Sequence, residues 1–283
     1  MSEALSLRSL AGTTMEEYKR YVRKLSEWAN ADPATLQEEQ VREYILHLKE
    51  HQHYSPSSMR TACASMHFFY HHVMAKDWRL FHLIRSPDHK TLPQVLTRDE
   101  VARFLDGVKE PRFRMVLRLI YACGLRISEA VKLETGDIKD NRILIRQGKG
   151  NKDRYIPLAP SILTELRSWW KEHRHPRFLF PAVGRGWKEN RHNLLSRSDE
   201  PMSIGSIQLC FRMVAAQTGI SKKASVHTLR HSYATHLLEA GVSLRQIGSY
   251  LGHVSMDTTV IYTHLTTVSE AKALKAIEGL IPH

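Results

Sequence analysis

Between residues 121 and 265 the chain sets out cations, imidazoles and a phenol in four separated segments. In YACGLRISE (121–129), Arg126 follows a glycine that ends an apolar helix, so its guanidinium emerges at a helix junction, with Glu129 three residues on along the same face. In RQGKGNKDR (146–154), glycines on both sides of Lys149 let the backbone turn tightly and present an ammonium at a hairpin tip. In VHTLRHSYATHL (226–237), His227 and Arg230 are three apart on one helical face, so an imidazole and a guanidinium converge. In LGHVSMDTTVIYTHL (251–265), Gly252 breaks a helix and places His253 in a turn, and Tyr262 follows on the next short helix. Taken one at a time, these are a surface ion pair, a solvated loop lysine, a helix-face pair and a packed tyrosine. Taken together they are an odd set for simple packing. Two fixed guanidiniums can hold an oxyanion with a bidentate geometry that lysine cannot supply. A phenol, with an unperturbed pKa of about 10, needs nearby cations and a base to lower or offset its proton cost.

Other chemistries find less support. The Lys149 turn lacks the earlier glycine and the following Ser or Thr of a nucleotide-binding phosphate loop. His227 and His231 have the spacing of a helical metal pair, but no glutamate lies between them and no nearby Cys or Asp completes a ligand set. The cluster His67, His71 and His72 reads as core-edge or solvent histidines, so no metal and no cofactor is expected. Cys63, Cys123 and Cys210 are odd in number and far apart, which fits thiols in a reducing compartment better than a disulfide framework.

The elements that must position these groups fall into two parts. Residues 1–86 read as helices. Thr14 with Glu17, and Thr35 with Glu38, have capping-box spacing, and Ser55-Pro56 supplies an N-cap with proline at the first helical position. A short fourth helix is expected around Trp78 to Ile84. Residues 87–96 carry two prolines and no periodicity, and read as a linker. Thr97 and Glu100 then open a second domain, 97–283. Helices are expected over Arg112–Cys123 and Ile127–Leu133, followed by a small β-meander through Ile138, Ile143, Ile145 and Tyr155-Ile156-Pro157. Helices resume over Ser161–His173 and Ser203–Thr218, and from His227 onward with breaks at Gly241 and Gly252. Gly184 to Met202 is polar, basic and aperiodic. In the C-terminal tail, Ala271, Leu274 and Ile277 form a short apolar stripe at helical spacing.

The chain has 283 residues, 42% of them hydrophobic and 25% charged, which excludes wholesale disorder. The N-terminus lacks the pattern of a secretory signal, and no apolar run approaches the ~20 residues of a membrane span. The formal charge is +12. Residues 1–90 hold 12 Lys+Arg against 11 Asp+Glu, and residues 91–283 hold 29 against 18. A basic excess concentrated in one part points to a polyanionic partner, most often nucleic acid.

On GLRISE, GKGNKDR, HTLRHSYATHLL, YLGH and IYTH, the sequence resembles the tyrosine recombinase (phage integrase) family, with wording similar to the bacterial Xer and integron integrase branches. The resemblance is strong from Thr97 to Leu265 and weaker over residues 1–90. It implies a mainly α, two-domain C-shaped clamp, with a helical core-binding domain and an α-rich catalytic domain holding a small antiparallel sheet. It implies an enzyme that cuts and rejoins double-stranded DNA at inverted half-sites. Strands would be exchanged through a Holliday junction without metal or ATP, by a dimer on each site and a tetramer in the synapse. The expected setting is the bacterial cytoplasm, on nucleoid DNA. A nicking or topoisomerase-like enzyme and a non-catalytic accessory protein are the rivals. By resemblance, Tyr262 is the nucleophile, Arg126 and Arg230 hold the non-bridging oxygens, and Lys149 protonates the leaving group. His227 is proton acceptor or phosphate contact, His253 a supporting hydrogen-bond donor, and Glu129 the supporting acid. The tail is expected to dock on a neighbouring protomer. Two departures stand out: residues 1–90 carry little basic excess, and residues 184–202 have no clear counterpart in simple Xer proteins.

Overall fold

The computed structural model describes residues 1–8, 10, 12–83, 92–146, 153–183, 198–220, 223–253 and 257–265. Lys149, most of the basic 184–202 segment and the apolar stripe of the tail lie outside the described residues. The chain divides into two compact units, residues 1–91 and 92–283.

The first unit is helical: α1 (Ser2–Leu7), α2 (Gly12–Ala29), α3 (Glu38–Glu50), α4 (Pro56–His67), with a π-helical continuation over Phe68–Val73, and α5 (Leu80–Leu83). Tyr21, Val22 and Leu25 of α2 meet Val41, Tyr44, Ile45 and Leu48 of α3 and Ala62, Cys63 and Met66 of α4 in one core. The spacing that produces it is the helical one, apolar residues three and four apart. Two expected starts differ. Gly12 begins α2 two residues before Thr14. At α3 the cap is Gln37, whose N–H donates to the Gln40 side chain at 2.9 Å, in place of the Thr35–Glu38 box. Thr35 instead closes the turn before it, with its hydroxyl donating to the Asp32 carbonyl. The Ser55 cap forms as expected, its hydroxyl accepting from the Ser58 N–H at 3.2 Å.

The second unit opens with the capping box of Thr97, which accepts from the Glu100 N–H while Glu100 accepts from the Thr97 N–H. Then follow α6 (Arg98–Gly107), α7 (Pro111–Cys123) and α8 (Ile127–Val131). A three-stranded antiparallel sheet is built from β1 (Ile138–Lys139), β2 (Arg142–Ile145) and β3 (Arg154–Pro157) in sequential order. Ile143 pairs with Ile138 and Ile156, and Ile145 with Arg154. Since alternate residues share a face, Arg154 lies on the same side as Ile143, Ile145 and Ile156, the side that is buried. The rest is helical: α9 (Pro160–His173), α10 (Ile204–Gln217), α11 (Val226–Glu239), α12 (Leu244–Leu251) and α13 (Asp257–Val260), which runs into a 3₁₀ turn over Ile261–Leu265. The α7 segment is buried on most of its surface, from Met115 through Cys123, and packs against α11. Of α11 the described burial is nearly continuous from Val226 to His236, polar residues included.

Two of these helices end on a left-handed glycine, Gly124 after α7 (φ 60°) and Gly252 after α12 (φ 65°). The conformation frees the last carbonyls and lets the chain turn sharply. At Gly124 there is also no room for a side chain, because a Cβ would sit 2.4 Å from Tyr233 Cδ1. Gly124→Ala is therefore expected to cost about 2 kcal/mol or more and to lower the thermal midpoint by ~4–8 °C, measured by calorimetry.

Candidate active site

Glu129 is where the separated segments meet. It lies in the first turn of α8, 8% exposed at the side chain, and its two oxygens accept from three directions. The Arg126 N–H and guanidinium donate at 2.8 and 2.7 Å. The Arg154 guanidinium donates through both terminal nitrogens, at 3.0 and 2.8 Å. The Arg230 guanidinium stands 3.8 Å away as a third cation. Burial alone would raise this carboxyl. The hydrogen bonds from Arg154 and Arg126, with the attraction of Arg154, overcome burial and hold it at about 2.

Arg154 fastens the sheet to this centre. Besides Glu129 it donates from Nε to the Tyr250 carbonyl at 2.8 Å, near the end of α12, and its stem fills the space beside Gly252, where a Cβ would meet it at 3.0 Å. Arg230, buried on α11, donates to the Gly124 carbonyl and to the Leu251 carbonyl, each at 2.7 Å. Those carbonyls terminate α7 and α12, the negative ends of two helix dipoles, which suits a guanidinium. Burial and the neighbouring Arg126 lower the Arg230 pKa to about 10, which leaves it cationic at neutral pH. One carboxylate among three guanidiniums leaves a surplus of positive charge.

The imidazoles and the phenol lie around that surplus. Tyr262 is buried, in a small cluster with Tyr233, Ala234, Ile247 and Leu251. Its hydroxyl shares a 3.0 Å hydrogen bond with His231 Nδ1. Its ring lies nearly parallel to that of His253, with centroids 6.3 Å apart. Burial raises the Tyr262 pKa, and the fields of Arg230 and Arg126 pull it back down. His253 is held by Thr259 Oγ1 at 2.8 Å from Nδ1. Burial, then Arg230 and Arg126, push its pKa down to about 4. His231 is lowered to about 4 by burial, His227 and Arg230, and His227 is lowered by burial, Arg230 and Arg126. All three rings are neutral at pH 7. No group of three or more His, Cys, Asp or Glu side chains among the described residues could hold a metal ion.

Of the residues singled out in the sequence, Arg126, Glu129, His227, Arg230, His253 and Tyr262 thus lie in one neighbourhood; Lys149 lies outside the described residues. Three participants were missed. Arg154 closes the GKGNKDR segment and sits two residues before Ile156, an inward strand position that signals burial. In the sequence His231 shows only the spacing of half a metal pair, and Thr259 carries no signal at all.

The model of the phage integrase family matches residues 94–268, and that of the phage integrase N-terminal SAM-like domain matches residues 1–80. An integrase/recombinase of Escherichia coli is 34% identical, over 95% of this chain and 89% of its own length. The tyrosine recombinase XerD of Listeria innocua is 31% identical, over 92% of this chain and 90% of its own. In fold, the chain is similar to lambda integrase, solved as a tetramer bound to a Holliday junction: the TM-score is 0.73 at 16% identity, over 92% of this chain and 74% of that one. The chain belongs to the phage integrase family, the site-specific tyrosine recombinases, and is a DNA strand-transferase.

Two measurements follow from Glu129. Replacing it with Gln removes the carboxylate that three guanidiniums share and leaves buried cations unpaired, which is expected to destabilise the fold by ~3–5 kcal/mol in chemical denaturation. A carboxyl held below its unfolded value contributes stability that is complete above about pH 4.5 and is lost as pH falls toward about 2. The native protein should therefore lose stability more steeply than Glu129→Gln across that window, read as thermal midpoint against pH.

Proposed function

We propose that this chain recombines double-stranded DNA at a specific site through a covalent 3′-phosphotyrosyl intermediate formed at Tyr262. The observation that supports this most is the position of the Tyr262 phenol, buried and within the fields of Arg230 and Arg126. The phenolic oxygen forms a bond to the scissile phosphorus and the bond to the 5′-oxygen breaks. The products are a phosphotyrosine ester and, once protonated, a free 5′-hydroxyl. Arg126 and Arg230 hold the non-bridging oxygens; preorganised donors of this kind are typically worth ~10²–10³ in rate each. Arg230 is suited to the task because two of its nitrogens already donate to helix-terminal carbonyls, which fixes the plane of the group. Lys149, by its place in the family pattern, protonates the 5′-oxygen. His227 contacts the phosphate or takes a proton, His253 steadies the site, and Glu129 orients the arginines.

The ester conserves the energy of the broken bond, so religation to a second 5′-hydroxyl requires no ATP, and the guanidiniums supply the electrostatics that a metal ion supplies elsewhere. Residues 1–86 form the core-binding domain and residues 97–283 the catalytic domain. The protein acts as a dimer on inverted half-sites and as a tetramer on the junction, the assembly in which lambda integrase was solved, with the C-terminal tail docking between protomers. It works in the bacterial cytoplasm on nucleoid DNA. Among the described residues no helix is long and apolar enough to cross a membrane.

The test needs a DNA site, obtained by selecting from randomised duplex the sequences that the full chain binds. On a nicked suicide version of that site, the native protein is expected to form a covalent adduct and Tyr262→Phe none; an adduct on the variant overturns the assignment. A 5′-bridging phosphorothiolate, whose leaving group needs no proton, is expected to restore Lys149→Ala and not Arg230→Ala. Equal restoration of both, or of neither, removes Lys149 from the leaving-group step.

A further inference from the structure

The hydroxyl of a buried tyrosine must dispose of its proton before the oxygen can bond to phosphorus. We infer that His231 is the catalytic residue that accepts it. The inference rests on Tyr262 being the nucleophile. The evidence is geometric. His231 Nδ1 lies 3.0 Å from the Tyr262 hydroxyl, the two ring centroids are 5.9 Å apart, and both side chains sit where helix α11 meets the 3₁₀ turn that carries Tyr262. This is hydrogen-bond reach, the first requirement of a general base.

The neighbouring histidines are placed for other work. His227 lies one helical turn earlier, its ring 6.2 Å from that of His231, and the cations that act on it are Arg230 and Arg126, the pair assigned above to the phosphate. His253 lies flat beside the Tyr262 ring and gives its Nδ1 to Thr259. His231 also enters the reaction in the correct form, since burial, the adjacent His227 ring and the Arg230 cation on its own helix keep it uncharged.

In the step itself the Tyr262 O–H proton moves to His231 Nδ1 as the phenolic oxygen bonds to phosphorus and the bond to the 5′-oxygen breaks. The imidazolium so formed lies near the negative charge that builds on phosphorus. In religation the same proton returns to the departing phenolate. The ring must carry its other proton on Nε2 for this, the tautomer that leaves Nδ1 free to accept.

The test uses the full chain and the nicked site selected as above. His231→Gln can still hydrogen-bond to the phenol but cannot take its proton, and is expected to form the covalent adduct ~10²-fold more slowly while binding DNA as well as the native protein. The decisive arm places 3-fluorotyrosine at 262. Its phenol is more acidic and depends less on a base, so the His231→Gln penalty should shrink by ~10-fold or more. A residue that merely packs against the tyrosine gives the same penalty with both phenols, and that result overturns the inference. So does adduct formation at the native rate, or faster, by His231→Gln. Should this variant melt well below the native protein, His231→Ala with added imidazole takes its place; restoration is then expected, and its failure overturns the inference. Adduct formation by Tyr262→Phe would instead remove the nucleophile assignment beneath it, so the two failures are distinguishable.

Discussion

A single buried carboxylate holds this site in register. Glu129 receives the Arg126 N–H and guanidinium, both terminal nitrogens of Arg154, and the nearby charge of Arg230. Its partners come from the α7–α8 junction, the last strand of the sheet and helix α11. Desolvating one carboxylate is costly unless its lone pairs are filled and its charge matched, and here both conditions are met by Arg126 close by in the chain together with Arg154 and Arg230 far from it. The fold therefore cannot bury Glu129 without bringing those segments together.

Arg230 extends the same logic to the helix ends. Its guanidinium bridges the carbonyls of Gly124 and Leu251, at the C-termini of α7 and α12. Both helices finish on a glycine with positive φ, the conformation that turns the chain away and leaves a terminal carbonyl free to accept. A guanidinium has five N–H donors, so two carbonyl bonds fix its plane and leave three that those carbonyls do not use. The turn after α12 continues through His253 toward Tyr262, so the backbone that Arg230 pins is also the backbone that delivers the phenol. Arg154 holds that segment from the other side, through the Tyr250 carbonyl.

Much of this was legible in the sequence. Where capping chemistry and periodicity agreed, as at Thr97–Glu100 and Ser55-Pro56, helices begin where the residues say. Where only spacing spoke, as at Thr14–Glu17, the start moved, because Ser or Thr followed by Glu three residues on arises readily on a polar helix face. The meander at Ile143, Ile145 and Ile156 followed from period-two burial. The same alternation puts Arg154 inward, but a basic residue ending a turn-like GKGNKD string reads as solvated until Glu129 is seen opposite it. His231 was hidden differently. Its helix is buried on nearly every side, so position along α11 does not say which face meets the tyrosine; only the return of the chain through α12 and α13 decides it. Thr259 belongs to the same class, a contact made by tertiary approach alone.

The protonation states show why such a site tolerates its own charge. Arg126, Arg154 and Arg230 against Glu129 already leave a surplus of two positive charges. Were His227, His231 and His253 also cationic, the neighbourhood would carry a net five, with no second carboxylate among the named partners. Burial prevents this first, and the arginines add to it, because both lower the imidazole pKa values and keep the rings neutral. Neutral imidazoles can accept protons, and they fill space around the phenol without repelling the guanidiniums. The surplus that remains stays on the arginines, where planar donors match a phosphodiester. In the proposed reaction a phosphate at the site would remove part of that repulsion, so the electrostatic tension among the guanidiniums would favour the substrate.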